Sequence, residues 1–185
     1  MKFAVLGTGM VGRAIAGRLD ELGHQATIGT RDPQATLART ETDAMGNPPY
    51  ATWAGERPGV RLASFAEAAG EAEVVVNAAS GAGSLEVLAL AGADNLAGKV
   101  LIDIANPLDF SQGMPPTLFV KDTDSLAEQI QRAFPAARVV KALNTLTAAL
   151  MVRPDALDEG SSVFLSGDDT EAKALVSTLL TEFGH

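Results

Sequence analysis

Short, unbroken hydrophobic runs alternate along the chain with stretches that repeat their apolar residues every three or four positions. The runs predict six buried strands, at residues 2–6, 25–28, 60–63, 73–79, 100–104 and 138–143. The stretches between them predict helices, at residues 11–22, 33–40, 84–91 and 125–134, with a shorter one from residue 64. Further on, the pattern predicts a seventh strand at residues 162–165 and a helix at about 170–182. This alternation is typical of a doubly wound α/β fold, with a mainly parallel sheet and helices on both faces.

Capping signals support the predicted helix starts. Asp32 stands before Pro33, as an N-cap stands before a proline at the first helical position. Ser64 and Ser125 are each followed three positions later by a glutamate, which is the spacing of a capping box. Residues 41–59, in contrast, are rich in proline and glycine and predict a long loop. Such a loop is either a lid or a surface excursion that covers a sheet edge.

A glycine-rich turn follows the first predicted strand. It places Gly7, Gly9 and Gly12 in the G-x-G-x-x-G pattern of Rossmann-type dinucleotide-binding domains. In that pattern Gly7 makes the tight turn, Gly9 lets the backbone approach a pyrophosphate, and Gly12 lets the helix pack close to the sheet. The start of the helix would then offer unpaired N–H groups and a partial positive charge to the anion. The position of this pattern between a strand and a helix favours a dinucleotide site.

The residues after the second predicted strand indicate which dinucleotide is bound. NAD-specific domains usually place an aspartate or glutamate there, whereas this chain has Thr30 and Arg31. A guanidinium beside a hydroxyl suits the 2′-phosphate of NADP(H). A charge-assisted contact contributes about 1.5 to 3 kcal/mol, so Arg31 predicts a roughly ten- to hundredfold preference for NADP(H). The alternative is that Arg31 is a solvated loop arginine.

Composition excludes several other classes of function. The chain has 23 acidic and 14 basic residues and a net charge of −9, which disfavours nucleic acid and anionic membranes as partners. With no cysteine and two histidines, it has no thiol nucleophile and no spacing typical of a metal site. No apolar run approaches the roughly 18 residues of a membrane span. A length of 185 residues fits one domain, and we expect a cytoplasmic location.

Five segments of the chain resemble the F420-dependent NADP reductases and the related oxidoreductase domains of the STEAP metalloreductases. These segments are residues 7–12, 29–33, 77–79, 103–108 and 139–145. The resemblance implies hydride transfer between C4 of the NADPH nicotinamide and C5 of the deazaflavin coenzyme F420. A reaction of this kind mainly requires two stacked rings aligned in a dry cleft, so no catalytic acid or base is implied.

The same resemblance implies contacts for individual residues. It assigns Thr8, Met10 and Val11 to the pyrophosphate, Thr30 and Arg31 to the 2′-phosphate, Ala79 and Asn106 to the nicotinamide half, and Leu143, Asn144 and Thr145 to the second ring. Two interpretations of Lys141 remain open at this stage. It is either a charge partner for the acidic cofactor or a strand-end lysine that extends to solvent.

The resemblance also bears on the extent of the domain and on alternative functions. Members of the family usually continue into another strand and a closing helical segment, so residues 1–185 are expected to form one domain that is short at its C-terminus. A homodimer is expected as well, and the expected ligands are small-molecule cofactors. Two other functions stay open: transfer of the hydride to FMN, FAD or a ferric chelate, and a non-catalytic module that binds NADPH and regulates a partner.

Overall fold

Six parallel strands form the central sheet in the computed structural model, which describes residues 1–43, 46–158, 160 and 162–185. In chain order the strands are β1 (Lys2–Leu6), β2 (Gln25–Thr30), β3 (Arg61–Ser64), β4 (Val74–Asn77), β5 (Val100–Asp103), β6 (Leu108–Asp109), β7 (Thr117–Leu118) and β8 (Arg138–Lys141). The sheet has the order β3-β2-β1-β4-β5-β8, and β6 and β7 form a separate antiparallel hairpin. This arrangement confirms the predicted doubly wound, Rossmann-like fold.

Helices cover both faces of the sheet. They are α1 (Met10–Glu21), α2 (Pro33–Ala38), α3 (Tyr50–Gly55), α4 (Phe65–Glu71), α5 (Ser84–Ala91), α6 (Ala93–Leu96), α7 (Leu126–Ala133), α8 (Ala148–Val152) and α9 (Thr170–Phe183). Alternate residues of β1 enter opposite cores, because successive side chains of a strand point to opposite faces. Phe3 and Val5 pack with α1 and α9, while Ala4 and Leu6 pack with α4, α5 and α7. No helix among the described residues has the length and apolar character needed to cross a membrane.

The strand order reverses between β1 and β4. From β1 the chain builds outward to β2 and β3, and it then returns to add β4, β5 and β8 on the other side. In open parallel sheets, ligands bind beyond the carboxyl ends of the strands at such a reversal. Residue pairing also lines up the last residues of three strands, since Asn77 pairs with Asp103 and Asp103 pairs with Lys141.

Capping explains where several helices begin. The Asp32 carboxylate accepts a hydrogen bond from the N–H of Ala35 at 3.0 Å, which confirms it as an N-cap. Ser64 and Glu67 form the predicted capping box, with hydrogen bonds in both directions. The Ser125 hydroxyl accepts from the N–H of Glu128 at 3.2 Å. These starts were predictable because a cap depends on neighbours within one helical turn.

Two predictions from the sequence were wrong. Residues 162–165 form no strand; instead Ser166 makes an isolated antiparallel bridge with Lys141, while Val163 and Leu165 pack against the core. The predicted loop at residues 41–59 contains helix α3, whose Tyr50 is buried in the core. Residues 44 and 45 of that predicted loop lie outside the described residues.

Candidate functional site

The three glycines of the turn after β1 meet different surroundings. Gly7 has a φ of +132°, and a Cβ on it would lie 2.6 Å from the carbonyl oxygen of Ala78. A Cβ on Gly12 would collide with the carbonyl oxygen of Gly7. A Cβ on Gly9 would meet no protein atom within 4 Å, although Gly9 directly precedes α1. The fold therefore requires Gly7 and Gly12, whereas the open space beside Gly9 fits an approaching pyrophosphate.

The start of α1 provides hydrogen-bond donors beside this space. Its N-cap, Gly9, makes no side-chain capping bond, and its first turn holds no acidic residue. The N–H groups of Met10, Val11 and Gly12 have no carbonyl partner within the helix, because the first turn of any helix lacks preceding carbonyls. The Met10 side chain is exposed. The donors and the partial positive charge of the helix start fit a bound diphosphate.

Arg13 anchors the glycine turn, a role that the sequence analysis missed. Its Nε donates to the carbonyl oxygen of Thr8 at 2.8 Å, and its Nη1 donates to that of Pro48 at 2.6 Å. The guanidinium also lies over the ring of Tyr50, 5.6 Å from its centroid. A signal for this role was present, because a cation near the start of a helix opposes the helix dipole and is usually avoided.

Tyr50, which packs against Arg13, is expected to make the stability of the protein depend on pH in the alkaline range. Its hydroxyl is buried and has no hydrogen-bond partner among the described residues, and burial raises the pKa of the phenol to about 12. An unfolded tyrosine ionises near pH 10. Because the native pKa is raised, the contribution of Tyr50 to stability is complete below about pH 10 and is lost as the pH rises towards 12.

We expect Tyr50→Phe to lack this pH dependence. Wild type should lose about 2 kcal/mol more unfolding free energy than the variant between about pH 9 and pH 12. Urea unfolding curves at both pH values would measure this difference. Since Tyr50 is the only tyrosine of the chain, its absorbance also reports the titration directly. Identical pH dependence of wild type and variant would contradict the prediction.

The segment after β2 presents an exposed guanidinium. The side chain of Arg31 is 68% exposed, and its Nη2 lies 2.7 Å from the carboxylate of Glu86 on α5, itself 64% exposed. Thr30 is buried, and its hydroxyl lies 2.9 Å from that of Thr36. Of the two residues predicted to bind the 2′-phosphate, Arg31 is therefore the accessible one. Its ion pair with Glu86 lies at the surface, and such pairs contribute 0 to about 1 kcal/mol to stability.

The loops after β4, β5 and β8 meet on the other side of β1. The Asn106 amide donates to the carbonyl oxygen of Asn144 at 2.7 Å, and the Asn144 amide donates to Asn106 Oδ1 at 3.3 Å. A Cβ on Gly81 would lie 2.1 Å from the carbonyl oxygen of Asn106, so the β4 and β5 loops are in direct contact. Ala79 is partly buried between Asn77 and Gly81 in the β4 loop. The structure thus brings Ala79 and Asn106, predicted for the nicotinamide half, to the same edge of the sheet as Asn144, predicted for the second ring.

The β8 loop contains a strained residue. Leu143 has a φ of +62° and is buried, whereas Thr145 two positions later is exposed. A left-handed conformation costs a residue with a side chain about 1 to 2 kcal/mol. The Leu143 side chain packs in the core, and the next residue, Asn144, forms the hydrogen bonds with Asn106.

A row of polar side chains lies beneath these loops, and we call Asn77, Ser84, Asp103 and Lys141 the buried polar row. The first three are buried, and the Lys141 side chain is 18% exposed. Asn77 Nδ2 donates to the Ser84 hydroxyl and to Asp103 Oδ1, both at 2.9 Å. Lys141 Nζ lies 2.9 Å from Asp103 Oδ2 and also donates to the carbonyl oxygen of Ala105. The ammonium group is turned to a carboxylate of its own chain and does not extend to solvent, while a contact between Lys141 and an acidic cofactor stays a prediction.

A cavity of about 750 Å³ adjoins the nicotinamide-side loops. Its lining includes Asn106, Lys141 and Asn144, together with residues of the hairpin, of the start of α7 and of the segment 166–168. This volume is within the range of small-molecule sites. The predicted site residues therefore extend along the carboxyl edge of the sheet, from the glycine turn and Arg31 on one side of β1 to this cavity on the other.

The fold and this edge together define the class of dinucleotide-binding Rossmann-like domains, and comparison with known proteins identifies the family. The model of the family described as NADP oxidoreductase, coenzyme F420-dependent matches residues 2–107. The chain belongs to this family and is an NADP-dependent oxidoreductase. The match includes the glycine turn, Arg31, Ala79 and Asn106, while Leu143, Asn144 and Thr145 lie beyond it.

Individual relatives agree with this family. Metalloreductase STEAP3 of Rattus norvegicus is 31% identical over 185 residues, which cover 99% of this chain and 32% of that protein. The chain thus spans about a third of the length of this relative. A crystal structure from Arthrobacter sp. FB24, provisionally described as an F420-dependent NADP reductase, is 61% identical with a TM-score of 0.95, over 100% of this chain and 82% of that one. A hypothetical protein of Sinorhizobium meliloti is 24% identical with a TM-score of 0.70, over 100% of this chain and 82% of that one. This similarity supports the fold alone.

Proposed function

We propose that this protein transfers a hydride between NADPH and the deazaflavin coenzyme F420. The observation that carries the proposal is the cavity beside Asn106 and Asn144, which adjoins the end of the sheet edge where the nicotinamide is expected. The description of the family and that of the Arthrobacter protein support F420 as the second ring. The proposal therefore concerns the identity of the hydride acceptor, since NADP dependence already follows from the family.

In this proposal the residues of the chain hold the two rings, and none acts as an acid or base. The first-turn N–H groups of α1 bind the pyrophosphate, and Arg31 binds the 2′-phosphate. Ala79 and Asn106 lie near the nicotinamide half, while Leu143, Asn144 and Thr145 border the second ring. The overall reaction is NADPH + H⁺ + F420 to NADP⁺ + reduced F420, with the hydride passing from C4 of the nicotinamide to C5 of the deazaflavin. Alignment of two rings away from water is the main protein contribution to such a transfer.

An absorbance assay tests this function directly. Purified protein mixed with NADPH and F420 should remove the absorbance of oxidised F420, and NADH should be a much poorer donor. A mixture without protein is the control for spontaneous reduction. Protein that binds NADPH but leaves the F420 spectrum unchanged would refute the proposed acceptor.

A ferric chelate, reduced directly or through a flavin, is the second candidate acceptor. The 31% identity to rat metalloreductase STEAP3, over a segment that includes nearly the whole of this chain, favours a metal as the final acceptor. The same assay with FMN, FAD or FAD plus a ferric chelate in place of F420 separates the two candidates. Binding of NADPH without turnover of any of these acceptors would instead favour the third alternative, a regulatory module that binds NADPH.

Three further properties belong to the same proposal. We infer that residues 1–185 act as one domain, that the protein works in the cytoplasm with small-molecule partners, and that it forms a homodimer. The net charge of −9 supports the absence of nucleic acid and anionic membranes among its partners. Light scattering at several protein concentrations would test the dimer.

A further inference from the structure

The buried polar row ends on the backbone of the loops that form the candidate site. Asn77 Oδ1 accepts from the N–H of Ala79 at 3.4 Å, and the Ser84 hydroxyl donates to the carbonyl oxygen of Ser80 at 3.0 Å. Asp103 Oδ1 accepts from the N–H of Ala105 at 3.2 Å. With the bond from Lys141 to the carbonyl oxygen of Ala105, the row holds four backbone groups in the β4 and β5 loops.

Asp103 is the centre of this row. It is fully buried, and its two carboxylate oxygens accept from Asn77, from Ala105 and from Lys141. A buried ion pair is weak evidence for stability, because an apolar pair of similar volume often stabilises a fold as well or better. The ion pair between Asp103 and Lys141 is therefore better explained by its role in orienting the neighbouring backbone groups than by a contribution to the stability of the fold.

The backbone groups that the row holds belong to the predicted nicotinamide contacts or to their direct neighbours in the chain. Ala79 is itself one of them, and Ala105 directly precedes Asn106. Asn106 in turn holds the carbonyl oxygen of Asn144. A displacement of Ala105 would consequently move Asn106 and release Asn144. Within the described residues, in contrast, Arg31 hydrogen-bonds to Glu86 and shares no hydrogen-bond partner with the row.

We propose that Lys141 and Asp103 are a positioning pair for the nicotinamide half of the cofactor. They hold the β4 and β5 loops in the binding conformation before NADPH arrives, so that binding does not have to order them. The proposal rests on the NADP dependence of the family and adds two residues that act through the β4 and β5 loops: Asp103, which is fully buried, and Lys141, whose ammonium group is bound to it.

The test is the double variant Asp103→Asn, Lys141→Met, which removes both charges at once. The asparagine can still accept from Asn77 and Ala105, while the methionine cannot donate to the Ala105 carbonyl. We expect roughly tenfold weaker binding of NADPH, since a hydrogen bond from a charged donor is lost. Binding of 2′,5′-ADP, which has the adenosine and the phosphates but no nicotinamide, should stay within about twofold of wild type.

Three comparisons separate positioning from loss of fold. Lys141→Met alone should lower the melting temperature because it leaves a buried carboxylate unpaired, and the double variant should regain most of that loss. Lys141→Arg keeps the positive charge and should bind NADPH more tightly than Lys141→Met does, although less tightly than wild type. Lys2→Met, at the amino end of β1, is the matched control and should bind both ligands as wild type does.

The emission of bound NADPH provides a second readout, because it reports the surroundings of the nicotinamide ring. At saturating NADPH the double variant should lose the emission change that wild type shows. Equal weakening of NADPH binding and 2′,5′-ADP binding would overturn the proposal. So would a double variant with the NADPH affinity and emission of wild type. An absence of any emission change in wild type would also overturn it. No acceptor is present in these titrations, so failure of the F420 assay would leave their outcome intact.

Discussion

Gly9→Ala is expected to weaken NADPH binding at least tenfold while leaving the melting temperature unchanged. The added methyl group would meet no protein atom within 4 Å, and Gly9 has a φ of −75° that alanine adopts readily. The same methyl group would stand in the space where the pyrophosphate approaches the first turn of α1. A loss of tenfold corresponds to about 1.4 kcal/mol of binding free energy. Calorimetric titration with NADPH and thermal unfolding of the free protein measure the two effects separately.

Three other glycine variants make this experiment specific. Gly7→Ala and Gly12→Ala should lower the melting temperature, because their methyl groups would collide with backbone carbonyl oxygens. Gly55→Ala is the matched neutral change, since a Cβ there also meets open space and lies outside the turn. Wild-type NADPH affinity in Gly9→Ala would show that the pyrophosphate does not approach this part of the backbone.

Arg31→Ala should weaken NADPH binding roughly ten- to hundredfold and leave NADH binding unchanged. The reason is the loss of a charge-assisted contact of about 1.5 to 3 kcal/mol with the 2′-phosphate, a group that NADH lacks. Parallel titrations of both dinucleotides with wild type and variant measure the effect. Equal affinities throughout would mean that Arg31 is an ordinary surface arginine.

Glu86→Gln tests the same contact in the opposite direction. The Glu86 carboxylate accepts from Arg31 in the free protein, so a 2′-phosphate must displace it. Exposed ion pairs contribute at most about 1 kcal/mol, so removing the charge should strengthen NADPH binding up to about fivefold. NADH binding should not change. A similar gain for both dinucleotides would show that Glu86 acts on some other part of the ligand.

The fold was predictable from the sequence because its main signals are local. The run Val74–Val75–Val76 indicated a strand covered on both faces, and Ser64 with Glu67 indicated a helix start within four residues. The seventh strand failed for a related reason. Val163 and Leu165 have the alternation of a strand and do pack partly buried against the core. Among the residues that the structure describes, however, the backbone of this segment pairs with β8 only at Ser166. An alternating apolar pattern indicates that one side of a segment is buried, but burial alone does not produce the backbone pairing of a β-strand.

The candidate site was predictable only in part. The glycine turn and Arg31 follow rules of spacing along the chain, and the structure leaves both open to a ligand. The buried polar row could not be found in this way, because Asp103 lies 26 residues from Asn77 and 38 from Lys141. Only the pairing of β4, β5 and β8 brings these residues together. For Arg13 the sequence offered only the unusual position of a cation near a helix start, while one of its partners, Pro48, lies 35 residues away in a segment without a clear pattern.

The contact between Gly81 and the Asn106 carbonyl limits how this protein can change. Gly81 is not among the glycines with positive φ, so its backbone conformation is open to any residue and only the lack of space requires glycine. The obstructing atom belongs to the main chain, and no truncation of a neighbouring side chain can remove it. Residue 81 should therefore be intolerant of substitution in a mutational scan and should resist suppressors elsewhere in the chain. Any relative with a larger residue at this position must carry a different spacing of the β4 and β5 loops.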